Sequence, residues 1–372
     1  MEAADAAPGE GLLSLMRALP TPQADDEERY PLGRDLITYQ SPRQKRARLE
    51  ARLELDVEAT ELGFQSPKRH RAPKALQSSP RVKGVKGDQE PKKDDRLLMG
   101  FSVTAVLAKL ADRSVLVAKN REGEPVALKV LEKHSMWLTP KRKIGSEAEV
   151  MQQLKHPGIV KLLQVIEEDE RLCLVMEYVP GGDMLQDIIR QGRFLEAHAQ
   201  RLVRQLGDAM TYVHSRNVVH RDLKPENILL TSNDRETMNV KISDFGISRL
   251  TSSSQDCQTY LGSRDYRAPE VVRLGINRKK PTGDQGGYGK PADMWSLGVV
   301  VYVMLSGERA FESQSKVEVE ILKGLWSFAA EVWGAISQDA KDLVKALMQQ
   351  EPKKRLQASE LLEHRWLIEA EK

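Results

Sequence analysis

The string His220-Arg221-Asp222-Leu223-Lys224-Pro225-Glu226-Asn227, followed later by Asp244-Phe245-Gly246, gathers side chains of complementary chemistry. A carboxylate such as Asp222 can receive the proton of an attacking hydroxyl, while the Asn227 amide and the Asp244 carboxylate offer hard oxygens to metal ions that neutralise phosphate charge. Lys224, two residues beyond Asp222, puts an ammonium where it can meet a moving phosphoryl group. Each residue alone reads as a solvated surface group. The two strings together, in this order and spacing, point to phosphoryl transfer.

Residues so far apart need a folded frame, and a 372-residue chain with 40% hydrophobic residues has the material for a sizeable core. Short apolar alternations at Phe101 to Leu107, Ser114 to Ala118, Pro125 to Leu131 and Arg171 to Met176 predict strands of an antiparallel sheet, with a helix over Lys143 to Leu154 interrupting them. Past the Pro180-Gly181-Gly182 breaker, helical patterns run over Met184 to Arg190, Glu196 to His214, Asp293 to Ser306, Val317 to Leu322, Ala340 to Met348 and Ala358 to His364. The expected class is α+β, with a small strand-rich lobe and hinge over 99–179, a large helical lobe over 180–368, and a short tail, 369–372.

Residues 1–98 are rich in charge, Pro, Gly and Ser and are expected to be a disordered regulatory extension. Gln44 to Leu55 reads equally as a helix formed on docking or as a solvated segment. Tyr39-Gln40-Ser41-Pro42-Arg43 and Phe64-Gln65-Ser66-Pro67-Lys68 echo each other, either as a duplicated docking or phosphorylation site or as low-complexity coincidence. A net charge of +3 is too small to imply a nucleic-acid ligand, and no apolar run approaches a membrane-spanning length. Two cysteines, Cys173 and Cys257, supply neither a disulfide framework nor a metal cluster, which fits a reducing compartment.

The combined motifs resemble the eukaryotic protein kinase family over about residues 99 to 368. Val126-Ala127-Leu128-Lys129 resembles the strand carrying the phosphate-binding lysine, and Glu147 stands where its pairing glutamate belongs. The resemblance implies a two-lobed kinase fold, ATP and Mg2+ as cofactors, and hydroxyls of protein substrates as acceptors. It makes Asp222 the base beside Lys224, and Asn227 and Asp244 the metal ligands. It assigns backbone groups of Glu177 and Val179 to the adenine, behind which Met176 limits the pocket, and places Val115, Ala127 and Leu229 about the ring. Each of these apolar residues is equally readable as core. Further matches are Ala268-Pro269-Glu270, Asp293 to Gly298, and Arg355. They imply a buried Glu270–Arg355 pair and an Asp293 that anchors the catalytic loop.

The region from Ile321 to Trp366 is similar to the calcium/calmodulin-dependent kinase group and, more loosely, the segment before Gly287-Tyr288 is similar to checkpoint kinases. With Lys372 following Trp366 so soon, no calmodulin-binding tail is expected. Asp183 and Glu226 match positions that face a substrate arginine in basophilic members, although Asp183 also reads as a helix cap and Glu226 as an ordinary ion-pair partner. Tyr266-Arg267-Ala268-Pro269-Glu270 is instead similar to proline-directed kinases, which leaves open the preference for the residue after the target. Thr259 matches the activating phosphosite of an upstream kinase, with Arg221 placed to meet the phosphate and Ser252, Ser253 and Ser254 as alternative acceptors. Ser66 precedes Pro67 and suits a proline-directed kinase, and Lys68-Arg69-His70-Arg71 suits nuclear import. Cytoplasmic and nuclear locations are both compatible with these features.

One segment departs from the family pattern. Over Leu107 to Val115, where a glycine-rich loop should roof the phosphates, Ala108, Leu110 and Arg113 occupy the glycine positions. Glycine permits the tight turn and close backbone approach, so its loss predicts weakened ATP binding, with Lys109 or Arg113 offering charge in place of amides. The expectation is a slow kinase; the alternative is a pseudokinase that acts as a partner-binding scaffold.

Overall fold

The computed structural model describes residues 97–110, 112–133, 146–250, 257, 259–277, 288–312 and 316–368. The extension through residue 96, including Ser66, the paired motifs and the basic segment, lies outside the described residues, as do Ser252 to Ser254 and the tail 369–372.

The first part is an antiparallel sheet of β1 (Leu97–Leu98), β2 (Phe101–Lys109), β3 (Arg113–Lys119), β4 (Pro125–Glu132), β5 (Leu162–Glu167) and β6 (Arg171–Glu177), ordered β1-β2-β3-β4-β6-β5. A helix, α1 (Ser146–Gln153), comes between β4 and β5 in the chain. The sheet starts at Leu97, two residues before the expected lobe boundary, because Met99 and Gly100 take left-handed φ values of 52° and 86° and turn Leu98 back onto Phe101. Strand β5 went unforeseen. Its Leu-Leu-Gln-Val-Ile-Glu run does not alternate cleanly, and a register shift between Leu162 and Gln164 gives the physical reason. On β4 alternation is strict: Val126, Leu128 and Val130 join one apolar cluster, while Ala127 and Leu131 join the other.

The second part comprises α2 (Met184–Gln191), α3 (Glu196–Ser215), β7 (Val218–Val219), β8 (Ile228–Leu230), β9 (Val240–Ile242), β10 (Arg249–Leu250), α4 (Pro269–Asn277), α5 (Lys290–Ser306), α6 (Val317–Lys323), α7 (Gln338–Leu347), α8 (Ala358–Leu361) and α9 (Arg365–Ile368). Asp183 starts α2 by accepting the Gln186 N–H at 2.9 Å, and Gly192, at φ 80°, ends it. Helix α5 is buried continuously from Ala292 to Ser306, which makes it the core of this part. It begins at Lys290 rather than Asp293, since Pro291 is tolerated in a first helical turn. The helix expected over Ala358 to His364 ends early, at Leu361, and a separate short helix, α9, follows it, with the His364 Nδ1 accepting the Trp366 N–H at 3.3 Å in its first turn.

Two close backbone approaches join the parts near the candidate site residues. Val160 N–H donates to the Ile242 carbonyl at 2.9 Å, and Gly181 N–H to the Leu230 carbonyl at 2.8 Å. A Cβ on Gly181 would meet that carbonyl oxygen at 2.3 Å, so no other residue fits there. Farther along, Arg355 clasps Glu270 through both guanidinium nitrogens at 2.7 and 3.0 Å and also donates to the Pro291 carbonyl. Its side chain is fully covered. Removing one member of such a pair strands the other charge. Arg355→Ala should therefore lower stability by roughly 3–5 kcal/mol in urea denaturation; a loss below ~1 kcal/mol would show the clasp to be dispensable.

Candidate active site

Strand alternation sets one wall. Lys129 shares the Ala127 face of β4; Val115 lies opposite Lys129 in β3, and Met176 opposite Ala127 in β6, so all four side chains project from one face of the sheet. Lys129 is almost wholly buried, and its Nζ contacts Glu147 Oε1 and Oε2 at 2.6 and 2.7 Å and Asp244 Oδ1 at 2.7 Å. Burial opposes its charge, but the two carboxylates outweigh burial and raise its pKa. Asp244 is the mirror case: burial would raise its carboxyl, yet Lys129, helped by Arg113 and His220, holds it well below the usual carboxylate range. Gly246 allows this crowding, since a Cβ there would lie 2.9 Å from Asp244 Oδ1 and 3.1 Å from Glu147 Oε2.

Asp293 sets the other wall. In the first turn of α5, where the helix dipole favours an anion, its carboxylate accepts the His220 N–H, the Arg221 N–H and the His214 ring Nε2, each at 2.9 Å. Complete burial alone would raise this acid, but the His214 bond and its neighbours lower it. Arg221 is held at φ 70°, and His220 packs edge-on to Phe245 at 4.8 Å.

The loop so anchored presents Asp222. Its Oδ1 accepts both the N–H and the hydroxyl of Ser263 at 2.9 Å, and its Oδ2 lies 3.1 Å from Asn227 Nδ2 and 3.3 Å from Lys224 Nζ. Lys224 also donates to Ser263 Oγ at 2.8 Å. Ser263 arrives because Gly262, at φ 95°, lets the chain pass against the Arg221 carbonyl, which a Cβ would meet at 2.5 Å. Arg221 Nη1 donates to Thr259 Oγ1 at 3.0 Å, and the Tyr288 hydroxyl to the Thr259 carbonyl at 2.9 Å.

The remaining candidates fall around this centre. Leu229 on β8 is half-buried against the core and bridges Asp183 through the backbone. Val179 is buried, and the Glu177 carboxylate pins the crossing by accepting from the Lys161 N–H at 2.7 Å and Lys241 Nζ at 2.9 Å. Partial burial raises the Asp183 carboxyl. Crowding by protein atoms raises Glu226 too, with Lys224 opposing and Asp183 adding to the rise, so these two acids share a neighbourhood. Asp183 is already engaged as the cap of α2. In the β2–β3 hairpin the Leu110 N–H donates to the Arg113 carbonyl at 2.8 Å, Leu107 and Leu110 are exposed, and the Arg113 charge reaches Asp244.

Residues 113–367 match the protein kinase domain family. The chain belongs to that family. The match opens at Arg113, leaving β2 and the turn after it outside. Relatives are serine/threonine kinases: myosin light chain kinase A of Dictyostelium discoideum is 36% identical over 68% of this kinase and 83% of its own length, and calcium/calmodulin-dependent protein kinase type 1 of Macrobrachium nipponense is 36% identical over 67% and 69%. A probable serine/threonine-protein kinase of D. discoideum, fhkD, is 34% identical over 66% of this kinase but only 33% of its own length, so the kinase spans a third of that relative. By family it is an ATP-dependent protein serine/threonine kinase resembling the calcium/calmodulin-dependent group.

Sequence reasoning missed Ser263, although a small hydroxyl residue seven positions before Glu270 is a readable signal. Ser263 makes three of the bonds that orient Asp222 and Lys224 in this kinase. Ser263→Ala should lower kcat about 10–100-fold, the worth of a hydrogen bond to a charged group, while leaving KM for MgATP within about twofold. Ser263→Thr, which keeps the hydroxyl, should restore most of the loss. An unchanged kcat in the alanine variant would show that Asp222 is oriented without it.

Proposed function

We propose that this chain is a slow, basophilic serine/threonine kinase that transfers the ATP γ-phosphate to protein hydroxyls, controlled by phosphorylation of Thr259. The observation that carries the reading is the assembly of two charge networks, Glu147–Lys129–Asp244 and Ser263–Asp222–Lys224–Asn227. In this reading Lys129 holds the α- and β-phosphates, Asp222 takes the acceptor proton, and Lys224 steadies the transferring group. Val115, Ala127 and Leu229 enclose the adenine, with backbone groups of Glu177 and Val179 as its polar partners.

The donor set suits Mg2+. Asn227 spends its Nδ2 on Asp222, which leaves its amide oxygen, and Asp244 spends Oδ1 on Lys129 and the Gly246 N–H, which leaves Oδ2; both are hard oxygen donors. Among the described residues no cluster of three or more His, Cys, Asp or Glu forms a ready metal cage, so further ligands would come from phosphates and water. When bound, the metal supplies neutralisation of phosphate charge. A phosphate on Thr259 would meet the Arg221 guanidinium already hydrogen-bonded there, which ties the phosphorylation state to the catalytic loop.

The roof sets the rate in this reading. Side chains at 108 and 110 keep amides from closing on the phosphates, and Arg113 contributes a charge instead. With Thr259 phosphorylation verified by mass spectrometry, steady-state assays over MgATP should show an Ala108→Gly/Leu110→Gly protein with KM lowered about tenfold and an Arg113→Gly protein with KM raised. Asp222→Asn should cost about 10²–10⁴ in turnover. Wild-type turnover equal to that of Asp222→Asn would favour the scaffold reading. Thr259→Ala should remain at the rate of the unphosphorylated protein.

Asp183 and Glu226 support selection of arginine three residues before the target, two close carboxylates being a match for one guanidinium. Peptides with arginine there should be preferred about tenfold over alanine, and Asp183→Asn/Glu226→Gln should abolish the difference. A preference that survives the double substitution would remove these residues from recognition.

A further inference from the structure

A cavity of about 660 Å³ opens between α3, the first turn of α5 and residues 352–359, and none of the nucleotide-site candidates lines it. The volume falls in the range of about 300–1,000 Å³ that accommodates small organic ligands. Its charge is one-sided: no carboxylate lines it, whereas His214, Lys290, Lys353 and Arg355 do. Arg355 is committed to Glu270 and His214 to Asp293, so the amines of Lys290 and Lys353 are what an incoming group would meet. Among the described residues, Lys290 Nζ donates to Asn217 Oδ1 at 2.9 Å and has no ion-pair partner, and the exposed Lys353 has none either. Met294, Pro352 and Leu356 supply apolar lining to the same cavity, beside neutral polar groups such as Thr211 and Gln357.

The wall of this cavity is one residue away from the catalytic loop. His214 lines it and bonds the Asp293 carboxylate, and that carboxylate holds the His220 and Arg221 amides. A ligand that binds better to one placement of His214 therefore biases the placement of Asp222 as well. We propose that the cavity is a regulatory site for a small amphipathic anion, with its apolar body against Met294, Pro352 and Leu356 and its carboxylate, sulfonate or phosphate head at Lys290 and Lys353.

The test uses the full chain under saturating MgATP, which occupies the nucleotide cleft, and 1-anilinonaphthalene-8-sulfonate as probe, an aromatic body bearing one sulfonate. Its fluorescence titration should saturate, and Lys290→Glu/Lys353→Glu should weaken binding at least about tenfold. Lys290→Met/Lys353→Met, which keeps the apolar stems, should weaken it in the same direction. The neutral N-phenyl-1-naphthylamine should bind wild type and both variants alike. Saturation with the sulfonate should change peptide turnover of the wild type by at least about twofold and leave the charge-reversed protein unaffected. Equal sulfonate affinity in wild type and both variants would overturn the site, and binding without any change in turnover would overturn its regulatory role.

Discussion

Asp293 buries a negative charge completely, and three groups from other parts of the chain satisfy it: two consecutive backbone N–H groups of the catalytic loop and the ring of His214. A buried carboxylate tolerates few arrangements of its donors, because each unpaired oxygen is costly away from water. The loop that carries Asp222 is thus held by the stiffest element available, the continuously buried α5. Arg221, forced to a left-handed backbone by that anchorage, turns its guanidinium toward Thr259 and the Ile247 carbonyl. The positions of Asp222 and of the Arg221 guanidinium follow from one ion.

The sheet wall works by charge balance rather than by rigidity alone. Lys129 stays charged in a buried place because two carboxylates flank it, and Asp244 stays ionised because Lys129 does. Neither could be placed there singly, since an isolated buried charge would shed its proton or take one up. Glu147 closes the set from α1, which makes that helix's seating a condition for the whole network. The glycine-free hairpin then adds the Arg113 charge to the same field.

The segment around Ser263 shows the same economy of elements. Ser263 reaches Asp222 only because Gly262 brings the segment before α4 against the Arg221 carbonyl, and the Glu270–Arg355 clasp holds that segment's far end to the base of α5. The Asp222 loop, the segment from Gly262 to Glu270 and the core helix are therefore joined by continuous contacts. The cavity lined by His214 lies against them from behind the catalytic loop.

Much of this was legible in the sequence. Strand alternation around Lys129, the breaker at Pro180 to Gly182 and the strings around Asp222 and Asp244 are local patterns, set by side-chain period and backbone preference, and they indicated the α+β class and five residues, Lys129, Glu147, Asp222, Asn227 and Asp244, that the fold draws into hydrogen-bonded charge networks. Asp183 carried two readings in the sequence; the cap of α2 is seen in the geometry, and that use does not exclude its carboxylate from a substrate groove. What the sequence could not convey were facts of register and approach. The edge strand β5 lacks alternation because one bulge offsets it, the His364 ring caps a short helix that begins after it, and Ser263 meets Asp222 across forty-one positions of chain. Contacts of that kind depend on how separately formed elements pack, and no local pattern encodes the distance between them. The residue types that do the chemistry were set by the sequence itself; which of them share a field, and which backbone amides a single buried carboxylate holds, was decided only in three dimensions.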